Sequence, residues 1–236
     1  IALALNTKGD HQLDLWILGL ALCAKRESGV YLDLSHASSQ STELFAEVKK
    51  MLESTANPKI FHGLKKAVQL LSKIGIELQG IGSDVMLAAH MTDPLGRRYE
   101  LDYLMGRKLN MSRKHVGSTI KSPVESQLSM FEEAEKDGYI QHCENASIIL
   151  RLHQQFDAQL KQTGMGWAFR KIEIPLACTL AHLELAGVRL DVNRLEKIAL
   201  EFDGRLAELR QKIVDLAGEE FNPNSVIELQ NILYEK

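Results

Sequence analysis

An α/β fold followed by an all-α segment is predicted, on three observations. The chain opens on an unbroken apolar run, Ile1 to Leu5, that gives way at once to Asn6, Thr7, Lys8, Gly9 and Asp10; such a run fits a strand buried on both faces. Short apolar stretches then alternate with segments of helical periodicity to about residue 160, a pattern that calls for a mixed sheet with flanking helices. Beyond it, Leu195, Ala199, Phe202, Leu206, Leu209, Ile213 and Leu216 recur in steps of four and three, an a/d seam that needs a partner helix.

In order, Asp14 to Ala24 and Gly29 to Leu34 read as two further strands joined by a polar turn, so that the first three form an antiparallel meander. Ser41, Thr42 and Glu43 supply a helix start, and Asn57-Pro58 ends that helix. Lys59 to His62 is a short strand, and Lys65 to Ile74 a helix closed by Gly75. Ile76 to Ile81 is extended, and Ser83 or Asp84 caps a helix that stops at Asp93-Pro94. Leu101 and Leu104 lie on another short helix, and a long one runs from about Ser129 to Leu160 with a break at Gly138. Gly164-Met165-Gly166 marks a boundary between domains at 1–163 and 164–236. In the second domain, Ile172 to Ala186 is helical with Pro175 in its first turn. A long helix then covers about Asn193 to Leu216, and Ser225 with Glu228 has the spacing of a capping box before a last helix, Val226 to Tyr234.

Composition narrows the function. With 28 Lys and Arg against 31 Asp and Glu, a net charge of -3 argues against a chain that coats nucleic acid by bulk charge, so any such contact must be local. The basic stretch Arg107 to Lys121, including Arg113 and Lys114, is one such place, though a solvated surface loop accounts for its charge as well. Three scattered cysteines without a CxxC pair suggest neither a disulfide framework nor a cysteine zinc site, and a reducing, cytoplasmic setting is expected. No apolar run approaches the roughly 20 residues of a membrane span. The chain opens directly on a core strand and is expected to be a piece of something longer. Gly80-x-Gly82 lacks the third glycine of a dinucleotide site, and His62, His90 and His182 read as isolated core or surface histidines.

The most specific signal is a set of four strings in register: Glu173-Ile174-Pro175-Leu176, Leu183 to Asp191, Phe221-Asn222-Pro223-Asn224-Ser225, and Ile232 to Lys236. In order and spacing they resemble the start of the polymerase domain of family A DNA polymerases, the bacterial polymerase I type. With that register fixed, residues 1 to about 160 resemble the 3'-5' exonuclease domain that precedes it. The supporting phrases are Lys59 to Leu71, Gly75 to Leu87, Asp102-Tyr103-Leu104 and Leu150 to His153. The resemblance covers nearly the whole chain. It implies a ribonuclease H-like exonuclease fold followed by an all-α polymerase thumb segment.

It also implies a chemistry. Active exonucleases of this family clamp the scissile phosphate with two divalent cations, and such hard cations need carboxylate oxygens. The family's Asp-x-Glu falls on Asn6-Thr7-Lys8, its second Asp on Ala67, its last Asp on Asn145 and its Tyr on Gln141. All four carboxylates are absent, and Lys8 adds a positive charge. Asp10, Asp14, Asp84 and Glu144 are the carboxylates that could relocate a site, but Asp84 reads as a helix cap and the first two as turn residues. The expectation is therefore an exonuclease-like domain with no two-metal site, a structural support for the polymerase domain and a guide for DNA. Mg2+ is expected only at the parent polymerase's own site, whose motifs lie downstream in the family.

Expected partners are primer-template DNA, met through the intact polymerase, and the rest of the polymerase chain. Asn222, Asn224 and Ser225 resemble the thumb segment that lies against the duplex backbone, and Ser225 equally fits a helix cap. The alternatives are an active exonuclease of the proofreading or ribonuclease D kind, which the missing carboxylates oppose, and a protein-interaction module that no longer engages DNA.

Overall fold

The computed structural model describes residues 1–9, 15–25, 28–34, 43–113 and 130–234, the side chains of 130–137 excepted. Five strands, β1 (Ala2–Lys8), β2 (Trp16–Lys25), β3 (Ser28–Asp33), β4 (Lys59–Phe61) and β5 (Ile81–Asp84), form one mixed sheet in the order β3-β2-β1-β4-β5. β1, β2 and β3 pair antiparallel, as the turn-length connections require, while β4 joins β1 in parallel and β5 joins β4 in parallel. The parallel pairs need crossovers, and α1 (Glu43–Glu53) and α2 (Leu64–Lys73) stand in them.

Helices α3 (Val85–Thr92), α4 (Leu101–Leu109) and α5 (Met130–Gln162) follow. α5 lies across β1, β2 and β3 and buries Ile148, Leu152 and Phe156 against a core that includes Leu3, Leu20, Phe61, Leu64 and Leu71. The sheet accepts this helix because it presents small residues to it. A methyl group on Gly29 of β3 would lie 2.7 Å from Cys143 Cβ and 3.3 Å from Cys143 Cα, so backbone and helix are already at contact distance.

One carboxylate organises two helix starts. Asp84 is wholly buried at the end of β5, where its Oδ1 accepts from the N–H groups of Met86 (2.7 Å) and Leu87 (2.9 Å) and its Oδ2 accepts from Leu64 N–H. It thus caps α3, the choice left open between Ser83 and Asp84, and also satisfies a free N–H at the start of α2. Lys59 is likewise buried, and its ammonium donates to the carbonyl of Ser54; desolvation lowers its pKa.

Three elements differ from expectation. The extended segment at Ile76 to Ile81 is a strand only from Ile81 onward, because pairing is set by the short β4. α5 passes Gly138 unbroken. Ahead of α6 (Ile174–Ala186), the chain makes a helical turn at Gly166–Ala168 and a π-helical turn at Phe169–Glu173. Pro175 lacks an N–H and its ring crowds the carbonyl four residues back, so a widened turn just before it relieves both problems.

The compact units divide between Ala186 and Gly187, whereas the sequence reading set the boundary after residue 163. Packing explains the difference: Phe169, Ile174, Ala177 and Ala181 are buried in the core of the first unit, and polar contacts add to it. Arg170 reaches Asp157 of α5 at 2.7 Å, and the Glu184 carboxylate accepts from Lys65 Nζ (2.8 Å) and Gln69 Nε2 (2.6 Å) of α2. α6 is thereby packed on α2 as part of the first unit.

Those two donors hold the Glu184 carboxyl below its ordinary range. Its stabilising effect is therefore complete above the usual Glu pKa and is lost as pH falls through the lowered folded value. Glu184→Gln should lower the urea midpoint at about pH 7, by an amount that shrinks as the pH falls below the usual Glu range through the lowered folded value.

The second unit, Gly187–Lys236, contains α7 (Val192–Ala217) and α8 (Val226–Tyr234). Asp191 caps α7 by accepting from Arg194 N–H at 3.0 Å, and Gly218 ends it in the left-handed region. The a/d seam on α7 is exposed among the described residues, Phe202 at 63%.

Candidate functional site: a cavity at the carboxyl ends of two parallel strands

The site grows from topology. Where β1 and β4 run parallel, their carboxyl ends open into a crevice, the usual place for a ligand in an open α/β sheet. A cavity of ≈ 280 Å³ lies there. β1 lends it Leu3, Ala4, Leu5 and Thr7, the end of β4 lends Phe61, His62 and Gly63, and α2 lends Lys66 and Ala67. Glu100, Leu101 and Asp102 enter from the start of α4, Asn145 and Ile149 from α5, and Arg113 closes the ring.

Of the five positions read as degenerate catalytic residues, this cavity unites Ala67 and Asn145. Gln141 and Lys8 are exposed and do not line it. Asn6 turns elsewhere: its Nδ2 donates to Tyr31 Oη at 2.8 Å, and the Tyr31 ring stacks on Tyr139 with centroids 4.4 Å apart. Gly19, opposite Asn6 on β2, makes this possible, since a Cβ there would lie 2.1 Å from Tyr31 Oη.

Arg113, read from sequence as part of a basic loop that is either solvated or in contact with phosphate, lines this cavity. Its Nη1 donates to Asn145 Oδ1 at 2.7 Å, its Nη2 donates to Asp102 Oδ1, and Nη1 lies 4.0 Å from Glu144 Oε2. Glu144 is buried; that burial pushes its carboxyl up while the guanidinium pulls it down. His62, read as an isolated histidine, lines the same cavity, with Nε2 2.8 Å from the carbonyl oxygen of Tyr99. Nothing in the sequence announces these meetings, apart from the Asp102-Tyr103-Leu104 phrase, because Arg113 and Asn145 stand 32 positions apart.

A pair of divalent cations does not fit this donor set. At the positions that the resemblance aligns with metal ligands the cavity supplies a methyl group at Ala67 and a carboxamide at Asn145; its carboxylates, Glu100 and Asp102, are matched by the cations Lys66 and Arg113, with Asp102 paired to Arg113 and Glu100 to Arg98. Among the described residues no three His, Cys, Asp or Glu side chains are grouped so as to hold a metal ion. Of the four carboxylates that might have relocated a site, Asp84 is committed to backbone N–H groups and Glu144 faces Arg113, while Asp10 and Asp14 lie outside the described residues. Lys114 does too.

The remaining candidate residues sit before α8. Asn222 Oδ1 accepts from Asn224 N–H at 3.0 Å, and Glu228 Oε2 accepts from Asn222 N–H at 2.8 Å. Ser225 Oγ accepts from Glu228 N–H at 3.5 Å, so the return bond of the capping box goes to Asn222 rather than to Ser225. None of the described helices is long and apolar enough to cross a membrane.

Fold and cavity define an α/β sheet domain with a crevice lined by Arg113, Asp102 and Asn145, joined in sequence to a helical segment. Its homologues over most of its length are bacterial DNA polymerases I: the chain is 32% identical over 235 residues to DNA polymerase I of Bacillus subtilis (strain 168), covering 97% of this chain and 25% of that protein. It is 27% identical over 238 residues to DNA polymerase I of Geobacillus stearothermophilus, covering 100% and 26%. The POL domain of Pol1 from M. smegmatis, in complex with DNA primer-template and dNTP, superposes with a TM-score of 0.79 at 25% identity, over 99% of this chain and 37% of that one. No family model matches the chain. The chain thus spans about a quarter of the length of the curated relatives it matches.

Proposed function

We propose that the chain is a segment of a DNA-directed DNA polymerase, its first part a 3'-5' exonuclease-like domain that has lost catalysis and supports the polymerase domain. The observation that carries the reading is the cavity itself, where Asn145 accepts from Arg113 and Ala67 lines the wall with no oxygen to offer. Two-metal phosphodiester cleavage needs carboxylates to hold the cations that activate water and stabilise the leaving oxygen. At an effective dielectric of about 20, a unit charge pair at about 4 Å is worth roughly 4 kcal/mol, so replacing carboxylates by a methyl and an amide and adding a guanidinium removes much of the attraction for a dication.

DNA is the partner this reading assigns to the intact protein. The primer-template held by the M. smegmatis neighbour supports it, as does the likeness of Asn222, Asn224 and Ser225 to the thumb segment. Their side-chain amides and the Ser225 hydroxyl suit phosphate contact, which positions a duplex without reading its sequence. Cys23, Cys143 and Cys178 are free thiols, in keeping with a reducing, cytoplasmic setting.

The test is an incubation of the purified chain with 3'-labelled single-stranded DNA and Mn2+. The expected result is an intact label at every time point. Stepwise release of mononucleotides, beyond that of a chelated control, would falsify the reading and favour an active exonuclease.

A further inference from the structure

We propose that Arg113 is the resident cation of this cavity, occupying the place of a divalent metal and holding the site closed to one; the inference rests on reading the cavity as a degenerate two-metal site. The guanidinium gathers oxygens from two elements: Asp102 Oδ1 of α4, and Asn145 Oδ1 at 2.7 Å and Glu144 Oε2 at 4.0 Å on α5. A bound cation would likewise draw together carboxylates from separate elements.

Arginine suits this role because its charge is permanent and its planar fork presents parallel donors to two acceptors at once. Its displacement is also costly. The Glu144 side chain is 8% exposed, and a buried carboxylate left without its counter-charge is strongly destabilised. A metal ion entering the crevice would have to expel the guanidinium and take over Glu144, with only Asn145, itself engaged by Arg113, offering oxygen from the former ligand positions of this cavity.

It follows that restoring carboxylates is not enough to restore metal binding, because Arg113 would pair with the new anion at position 145. The experiment compares Mn2+ binding, read from the electron paramagnetic resonance signal of free Mn2+, in three forms of the 236-residue chain. These are the natural sequence, Ala67→Asp with Asn145→Asp, and the same pair with Arg113→Gln. The double variant should bind Mn2+ no better than the natural sequence, and the triple variant at least about tenfold more tightly. Equal affinity in the double and triple variants would overturn the proposal, as would a cooperatively melting triple variant that gains nothing.

Asn145→Asp alone gives a second arm that leaves Arg113 in place. It should raise the thermal midpoint, since the substituted carboxylate gains a charge-assisted bond to the guanidinium. A lowered midpoint, as expected from a new anion beside Glu144 and Asp102 without a resident cation, would overturn the assignment. Tight Mn2+ binding by the natural sequence would instead sink the functional reading, so the two failures are told apart.

Discussion

Replacing Asp84 by alanine is expected to cost the first unit about 4 kcal/mol, the largest stability effect of any single polar substitution considered. The carboxylate accepts from Leu64, Met86 and Leu87 N–H, and it is fully buried, so alanine strands three donors at two helix starts with no water to replace the acceptor. Urea unfolding followed by circular dichroism measures the loss, and a change below about 1 kcal/mol would contradict this account.

Asp84→Asn separates charge from shape. The amide keeps one acceptor oxygen for the start of α3 but presents an N–H to Leu64, so it should fall between the natural residue and alanine. It also removes a titration. Burial pushes the Asp84 carboxyl above its ordinary value of 3.8, outweighing the three donors and the nearby His62. The folded state then binds the proton more tightly than the unfolded chain does. The advantage of the natural protein over Asp84→Asn should therefore be greatest at acid pH and shrink as pH rises from about 4 through the raised folded value, a difference that paired unfolding curves would record.

The second large effect is expected at Gly29, where alanine should destabilise by about 2 kcal/mol or more. The added methyl meets Cys143 Cβ at 2.7 Å and Cys143 Cα at 3.3 Å, and neither atom is the end of a movable side chain. β3 and α5 must part, and Tyr31, two residues along β3, carries its stack on Tyr139 with it. Cys143→Gly offers a remedy with its own cost of about 1 kcal/mol for glycine in a helix. If the contact is the cause, Gly29→Ala with Cys143→Gly will be less destabilised than the two single effects added together. Simple additivity would point to the strand's own conformational preference.

The lining of the cavity is only partly legible in the sequence. The resemblance aligns Ala67 and Asn145 with ligand positions, and these two line one cavity in the structure. Asn6 and Lys8 went with them by sequence but not in space. A strand alternates its faces, and Asn6 is drawn to Tyr31 on a strand two places away, a partner that only the sheet's pairing reveals. The boundary at 163 followed a glycine pair, a sound local signal. In the structure the following segment buries Phe169, Ile174, Ala177 and Ala181 in the first unit's core, and the compact units divide after Ala186 instead.

By itself the sequence determined what can be written along a line: buried strands from apolar runs, helix starts from capping residues such as the Ser83-Asp84 pair and Ser225, the seam from Leu195 to Leu216, and which residue types stand at the positions the resemblance aligns with ligands. Those features depend on neighbours a few positions away or on the identity of one side chain. The tertiary structure decided that the Arg113 guanidinium meets Asn145 and Asp102 at the cavity, that Asn6 turns to Tyr31 and that α6 belongs to the first unit. Each of these is settled by contacts between residues far apart in the chain, where distance and desolvation fix which charge meets which oxygen.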